Sequence, residues 1–315
     1  MTLDKINQSK KIYFRGHRVW QAVMDDLLAL GLKNAEKALL SGCSAGGLAS
    51  IIHCDNFRSQ LPENAVVKCL SDAGFFLDSR DVMNRSFIQS FYRDVVSLHG
   101  IAAQLPRYCQ EGVKCFFPQY LLKGMKTPLF ILNPAYDTWQ IENILLPVPE
   151  EHLQDWNLCM KDPRECSGDQ MKVLQGFRVN MLEALDAVEG SEEGGLFINS
   201  CFTHCQSEMD MTWHNARTPE VNQRTIAEAV GDWFFKRRPA KDIDSDEKGE
   251  HLSNRVHAVI TQNTVLDTDK TYLHKDVCIE IMWGMPFAVC KSFVRACGAA
   301  NVQCCKLLHS GKWQI

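Results

Sequence analysis

A chain of 315 residues that is 45% apolar can bury one sizeable core, and its composition is that of an ordinary globular protein. A net charge of −4 leaves it without the basic footprint of a nucleic-acid binder, and no apolar run nears the ~20 residues a membrane span requires.

After a polar, lysine-rich start (Met1 to Lys11) with no apolar leader-like core, Trp20, Val23, Met24, Leu27 and Leu28 recur at helical spacing, and Gly31 supplies a stop; residues 16–30 are a predicted amphipathic helix. Ala38-Leu39-Leu40 is a predicted short buried strand that runs into Gly42-Cys43-Ser44-Ala45-Gly46, with a helix expected beyond from Leu48 to His53. A second strand, residues 65–70, ends in Ser71-Asp72-Ala73-Gly74, and residues 82–98 are a predicted helix. The run from Thr127 to Pro134 is a buried strand bounded by prolines and followed by Asp137. Residues 169–188 carry apolar side chains on one helical side, Leu196 to Asn199 form a further strand followed by His204, and residues 221–236 are a closing helix. Strands alternating with helices predict an α/β protein, a mainly parallel sheet covered on both faces, with reactive groups at the carboxyl ends of its strands. Residues 237–250 are expected to be a charged, solvated linker, and residues 251–315, strand-like at 257–260 and cysteine-rich at the end, a tail of unassigned structure.

Fourteen cysteines suggest an oxidising compartment. The sequence-local pairs are Cys109 with Cys115, Cys159 with Cys166, and Cys201 with Cys205, although the actual connectivity is open. No C-x-x-C pair occurs, so no metal site is expected. Asn7-Gln8-Ser9 and Asn84-Arg85-Ser86 match the glycosylation sequon.

Gly42 to Gly46 fits the G-x-S-x-G nucleophile elbow, where small residues two before and two after the serine permit a strained strand-to-helix turn that presents the hydroxyl. A serine hydroxyl needs a base, a group to orient that base, and donors for the oxyanion. In the elbow fold the order is serine, acid, histidine, with acid and base in loops after later strands. Asp137 and His204 satisfy both order and placement, with Asp72 and Asp78 as rival acids, although Asp72 is more readily a turn cap. Of the ten histidines, His53 falls in a helix, and His99, His152 and His214 have no strand before them. Cys43 points away from the serine's position, which leaves packing or a disulfide as its role. The Ala45 N–H is the expected first oxyanion donor. A second donor would come from a glycine-rich loop after an earlier strand, and none precedes Ser44.

On Tyr13 to Gly16, Ser41 to Phe57, Ser71 to Asp78, Asn133 to Gln140, Phe197 to Gln206 and Ala229 to Phe235, the chain resembles the plant pectin acetylesterases, relatives of the animal carboxylesterase Notum. The resemblance runs in register from about residue 12 to 236. It implies an α/β-hydrolase-like domain over residues 1–236, incomplete on its N-terminal side. It further implies a secreted cell-wall enzyme, monomeric and cofactor-free, that removes acetyl esters from pectin with Ser44, Asp137 and His204 as its triad. The alternatives are an inactive member without the oxyanion loop, and a deacylase of lipidated protein like Notum.

Overall fold

The computed structural model describes residues 14–147, 154–208, 210–213 and 218–245, and the backbone of two further strands, 276–281 and 302–307. The expected alternation is present. Helix α1 (Gly16–Ala29) precedes strand β1 (Lys37–Cys43), which turns through Ser44 into α2 (Ala45–Ser59). Then come β2 (Val66–Asp72), α3 (Phe87–His99), β3 (Leu129–Asp137), α4 (Gly168–Ala184) and β4 (Gly195–Thr203). A small hairpin, β5 (Glu220–Val221) and β6 (Arg224–Thr225), leads into α5 (Ile226–Phe234). The chain then adds β7 (Lys241–Ile243), and the tail adds β8 (Asp276–Ile281) and β9 (Val302–Leu307).

The seven main strands form one sheet in the order β7-β4-β3-β2-β1-β8-β9, and every pairing is parallel. Successive side chains on a strand face opposite sides, and this alternation sorts the core into two layers. Ala38, Leu40, Val67, Cys69, Leu129, Ile131, Leu196 and Ile198 pack with α1, α2 and α4. Leu39, Leu70, Phe130, Leu132 and Phe197 pack on the other face against Trp213, Ile226, Val230, Trp233 and Phe234. Both faces of the central strands β1 to β4 are therefore covered, as parallel strands require. Lys68 points into the second layer, where its Nζ donates to the Trp233 carbonyl at 2.6 Å and lies over the Trp233 ring. Among the described residues no helix is long and apolar enough to cross a membrane.

The stretch expected to be a solvated linker is a structural element in its first part. Lys241–Ile243 pairs in parallel with Leu196 to Ile198, and Asp242 is buried. Its charges are consumed internally: Arg224 donates to Asp242 at 2.8 Å, Lys241 donates to the Val188 carbonyl, and Arg237 and Arg238 pair with Asp232. A run of charged residues reads as solvated only while its partners, here 18 and 53 residues away or folded back from α5, are unknown. The predicted strand at 257–260, the Asn7 sequon, His152 and His214 lie outside the described residues.

The cysteine pairs also differ in one place. Cys109–Cys115 and Cys159–Cys166 are bonded, as is Cys54–Cys69 between α2 and β2. Cys205, however, is bonded to Cys43 and not to Cys201. Proximity in the chain favours the shorter pairing, but the fold carries the β4 loop across to the end of β1.

Candidate active site

Ser44 occupies the turn between β1 and α2 with φ +58° and ψ −124°, a region that costs a non-glycine residue of order 1–3 kcal/mol. The turn is held by the Ser44 N–H donating to the Asp72 carbonyl at 2.8 Å and by the Leu48 N–H donating to the Ser44 carbonyl at 3.0 Å. A serine at a helix N-terminus ordinarily caps it with its hydroxyl. Here the turn swings the side chain away, and Ser44 makes no cap bond.

Glycines make this geometry possible. A Cβ on Gly74 would lie 2.4 Å from the Gly47 carbonyl carbon and 2.5 Å from the Leu48 nitrogen, and one on Gly47 would lie 2.7 Å from the Asp72 carbonyl oxygen. Only two residues without side chains let the first turn of α2 settle onto the loop after β2.

The Ser44 hydroxyl lies 2.8 Å from His204 Nε2, and His204 Nδ1 lies 3.0 and 2.9 Å from the two carboxylate oxygens of Asp137. Asp137 ends β3, is fully buried, and also accepts the Gln140 N–H at 3.0 Å, so its carboxylate caps the short turn of helix that follows. His204 follows β4 directly and is partly exposed. The Trp139 ring stands 6.4 Å from the imidazole and 4.9 Å from Phe76, walling one side of the site.

Burial pulls the His204 imidazole down, but the hydrogen bond and charge of Asp137, then the charges of Asp72 and Glu208, raise it above its usual 6.5. Burial pushes Asp137 up, opposed by its bonds to His204 and to the Gln140 and Trp139 backbone. Since the two carboxylate oxygens and the imidazole are in direct contact, the arrangement favours a proton held on the histidine beside an ionised carboxylate.

Ala45 begins α2 beside Ser44 and is an exposed residue, and the first N–H groups of a helix have no partner within it. The positive end of α2 therefore faces the space in front of the serine.

The two rival acids are placed elsewhere. Asp78 accepts from Gln89 and from the Tyr120 hydroxyl. Asp72, fully buried, accepts through Oδ2 from the Gln206 N–H (2.8 Å), the Ser207 N–H (2.7 Å) and the Ser207 hydroxyl (2.6 Å). Asp72, in the sequence a rival acid but more readily a turn cap, thus takes the backbone beyond the imidazole and not its ring. Among the described residues, Cys43, Asp72 and Cys205 have ligand-type atoms within 4.8 Å of one another, but the two sulfurs are bonded to each other and so cannot serve as thiolate ligands.

Residues 2–250 match the family model described as Pectinacetylesterase. The chain belongs to that family. It is 47% identical over 237 residues to pectin acetylesterase 5 of Arabidopsis thaliana, covering 74% of this chain and 56% of that protein, and 48% identical over 245 residues to pectin acetylesterase 7 of the same plant, covering 77% and 63%. The chain thus spans less than two-thirds of the length of these relatives. Among solved structures, the Wnt deacylase Notum from Drosophila shares the fold with a TM-score of 0.60 and 19% identity, over 79% of this chain and 66% of that one.

Proposed function

We propose that this pectinacetylesterase-family chain is a serine esterase acting on acetyl esters of pectin. The reading is carried by one observation: an unbroken series of contacts from the Ser44 hydroxyl through both nitrogens of His204 to the buried Asp137 carboxylate. Family membership supplies the substrate class.

In this reading Ser44 Oγ attacks the acetyl carbonyl carbon while His204 Nε2 takes the hydroxyl proton. The oxyanion forms beside the Ala45 N–H and the N-terminus of α2, whose dipole favours it. When the tetrahedral species collapses, His204 returns the proton to the departing sugar oxygen, leaving Ser44 acetylated. Water then repeats the sequence with His204 as base and releases acetate. Asp137 holds the imidazole with Nδ1 protonated and stabilises its charge throughout. Four disulfides among the described residues support an extracellular site of action.

The test is acetate release from acetylated pectin and from an aryl acetate by the chain and by Ser44→Ala. Release that the substitution removes supports the reading. Equal release from both proteins would sink it.

A further inference from the structure

Ser44 and His204 stand at the ends of strands that are not neighbours. β1 and β4 are separated by β2 and β3, three strand spacings or about 14 Å. That is further than an imidazole reaches, so the chain after β4 must travel back across the sheet's edge. It is tied once at each strand it crosses. At β3, Asp137 takes the His204 ring. At β2, Asp72 takes the backbone of Gln206 and Ser207. At β1, Cys43 takes Cys205, whose φ of +52° marks a sharp turn there.

Asp72 differs from the other two ties because it reaches both sides through hydrogen bonds of one residue, backbone and side chain. Its carbonyl accepts the Ser44 N–H, and its carboxylate accepts three donors from the two residues that follow Cys205. We propose that Asp72 is a positioning residue for the reaction, a single side chain and its own carbonyl setting the distance between nucleophile and base. The proposal rests on Ser44, His204 and Asp137 acting as read above.

A bland role as a turn cap would account for the three hydrogen bonds alone. It would not account for the burial of a whole carboxylate: Asp72 is 0% exposed, and Oδ1 finds no hydrogen-bond donor among the described residues. Three donors on one oxygen and none on the other is an expensive way to close a turn that a serine or asparagine could close. Burial pushes the Asp72 carboxyl up, opposed by its bonds to Ser207 and Gln206 and by His204. When ionised it joins Asp137 and Glu208 as a charge acting on His204, without touching the ring.

The experiment uses the full chain with five variants: Ser44→Ala, Asp137→Asn, Asp72→Ala, Asp72→Asn and Ser207→Ala. Each is checked for folding by thermal melting, then assayed for aryl acetate hydrolysis across pH and for the rate at which an organophosphonate labels Ser44. Asp72→Ala is expected to lower kcat and the labelling rate by about 10²-fold with KM unchanged, the cost of a displacement on the order of 1 Å. Ser207→Ala, which removes one of three donors, is expected to cost about fivefold. Asp72→Asn can keep an oxygen in place of Oδ2 and should recover most of the rate. Its acid limb should nevertheless move to lower pH, because a negative charge facing His204 is gone.

If Asp72→Ala does not fold, the shifted limb of Asp72→Asn and the loss in Ser207→Ala still decide the matter. Wild-type rates in folded Ser207→Ala together with an unmoved limb in Asp72→Asn overturn the proposal. Full activity in Ser44→Ala would overturn the triad reading and this proposal with it, whereas loss in Ser44→Ala and Asp137→Asn with none at Asp72 and Ser207 overturns this proposal alone.

Discussion

At the end of β1, the restraints on Ser44 lie within thirty residues of it: the Gly47 and Gly74 contact, the Leu48 N–H on its own carbonyl, and the Asp72 carbonyl on its N–H. At the end of β4, His204 is restrained from 67 residues away by Asp137, while its neighbours are held from 135 and 162 residues away by Asp72 and Cys43. The nucleophile is built by close packing of backbone, and the base by cross-links between distant strands. The first kind of restraint is rigid and local, so errors in it strain the fold. The second acts across the end of the sheet, so those of its errors that the fold survives show as lost rate.

The largest effect on rate should come from the base side. Asp137→Asn keeps the shape of the carboxylate but presents an amide to His204 Nδ1, leaving the wrong tautomer facing Ser44. A loss of about 10⁴-fold in kcat is expected, with melting close to the parent. A variant that keeps more than a tenth of the parent rate would show that His204 is oriented by something else.

The two disulfides beside the site separate rate from stability. Cys43–Cys205 closes a loop of 162 residues and Cys54–Cys69 one of 15. Loop-closure entropy makes them worth about 5 and about 3 kcal/mol respectively, so both double serine variants should melt lower. Of the two, the Cys43 and Cys205 variant should also lose rate in the still-folded protein, by about 10²-fold, since its cross-link is the one of the pair that joins the two catalytic turns. Equal specific activity in the two folded variants would remove the cross-link from the account of the base.

How much of this was legible in the sequence follows the same division. The elbow was readable because Gly42, Ser44 and Gly46 fall within one short stretch whose spacing is the elbow pattern itself. Asp137 and His204 were placed by chain order, since each follows an apolar run that is a strand in the structure, Leu129–Asp137 and Gly195–Thr203. The Cys205 partner was not readable, because the nearest cysteine in sequence, Cys201, lies in the same strand as the loop it would have to clamp. The strand at Lys241–Ile243 was hidden by its charges, whose partners Arg224 and the Val188 carbonyl become neighbours only once α5 has packed. Asp72 was readable as a turn cap or a rival acid, but the donors it takes, 134 and 135 residues away, were not, because they reach it only once the chain after β4 has crossed back to β2.

On the nucleophile side, Gly74→Ala should cost roughly 1–3 kcal/mol of stability, as a Cβ 2.4 Å from the Gly47 backbone forces α2 off the β2 loop. Gly176→Ala is the matching control. It lies exposed in α4 with nothing within 4 Å of the new Cβ, and should be stabilising by up to about 1 kcal/mol through helix propensity. Similar melting of the two variants would mean that the glycine contact does not support the elbow.

The effects of pH are the most graded, and there the two histidines pull in opposite directions. His204 is raised above 6.5, so kcat/KM should rise with pH through an apparent value above 6.5 as the base loses its proton. Its contribution to stability is full below the unfolded value and is lost as pH rises through the folded one. His53 lies nine residues along α2 from Ser44, about 13 Å away, stacked 4.4 Å from Trp20. Burial, then the neighbouring His17, brings it down to about 4. Between 6.5 and 4 the unfolded chain binds a proton that the folded chain refuses, so the protein should lose stability as pH falls through that window, on the order of 3 kcal/mol in all. His53→Phe keeps the stack on Trp20 and removes the titration. Its melting temperature should therefore fall less than the parent's between pH 6.5 and 4, while the acid limb of activity stays where His204 puts it. A parallel fall in both proteins would show that His53 is solvated when charged, and a moved acid limb would show that the far end of α2 reports to Ser44.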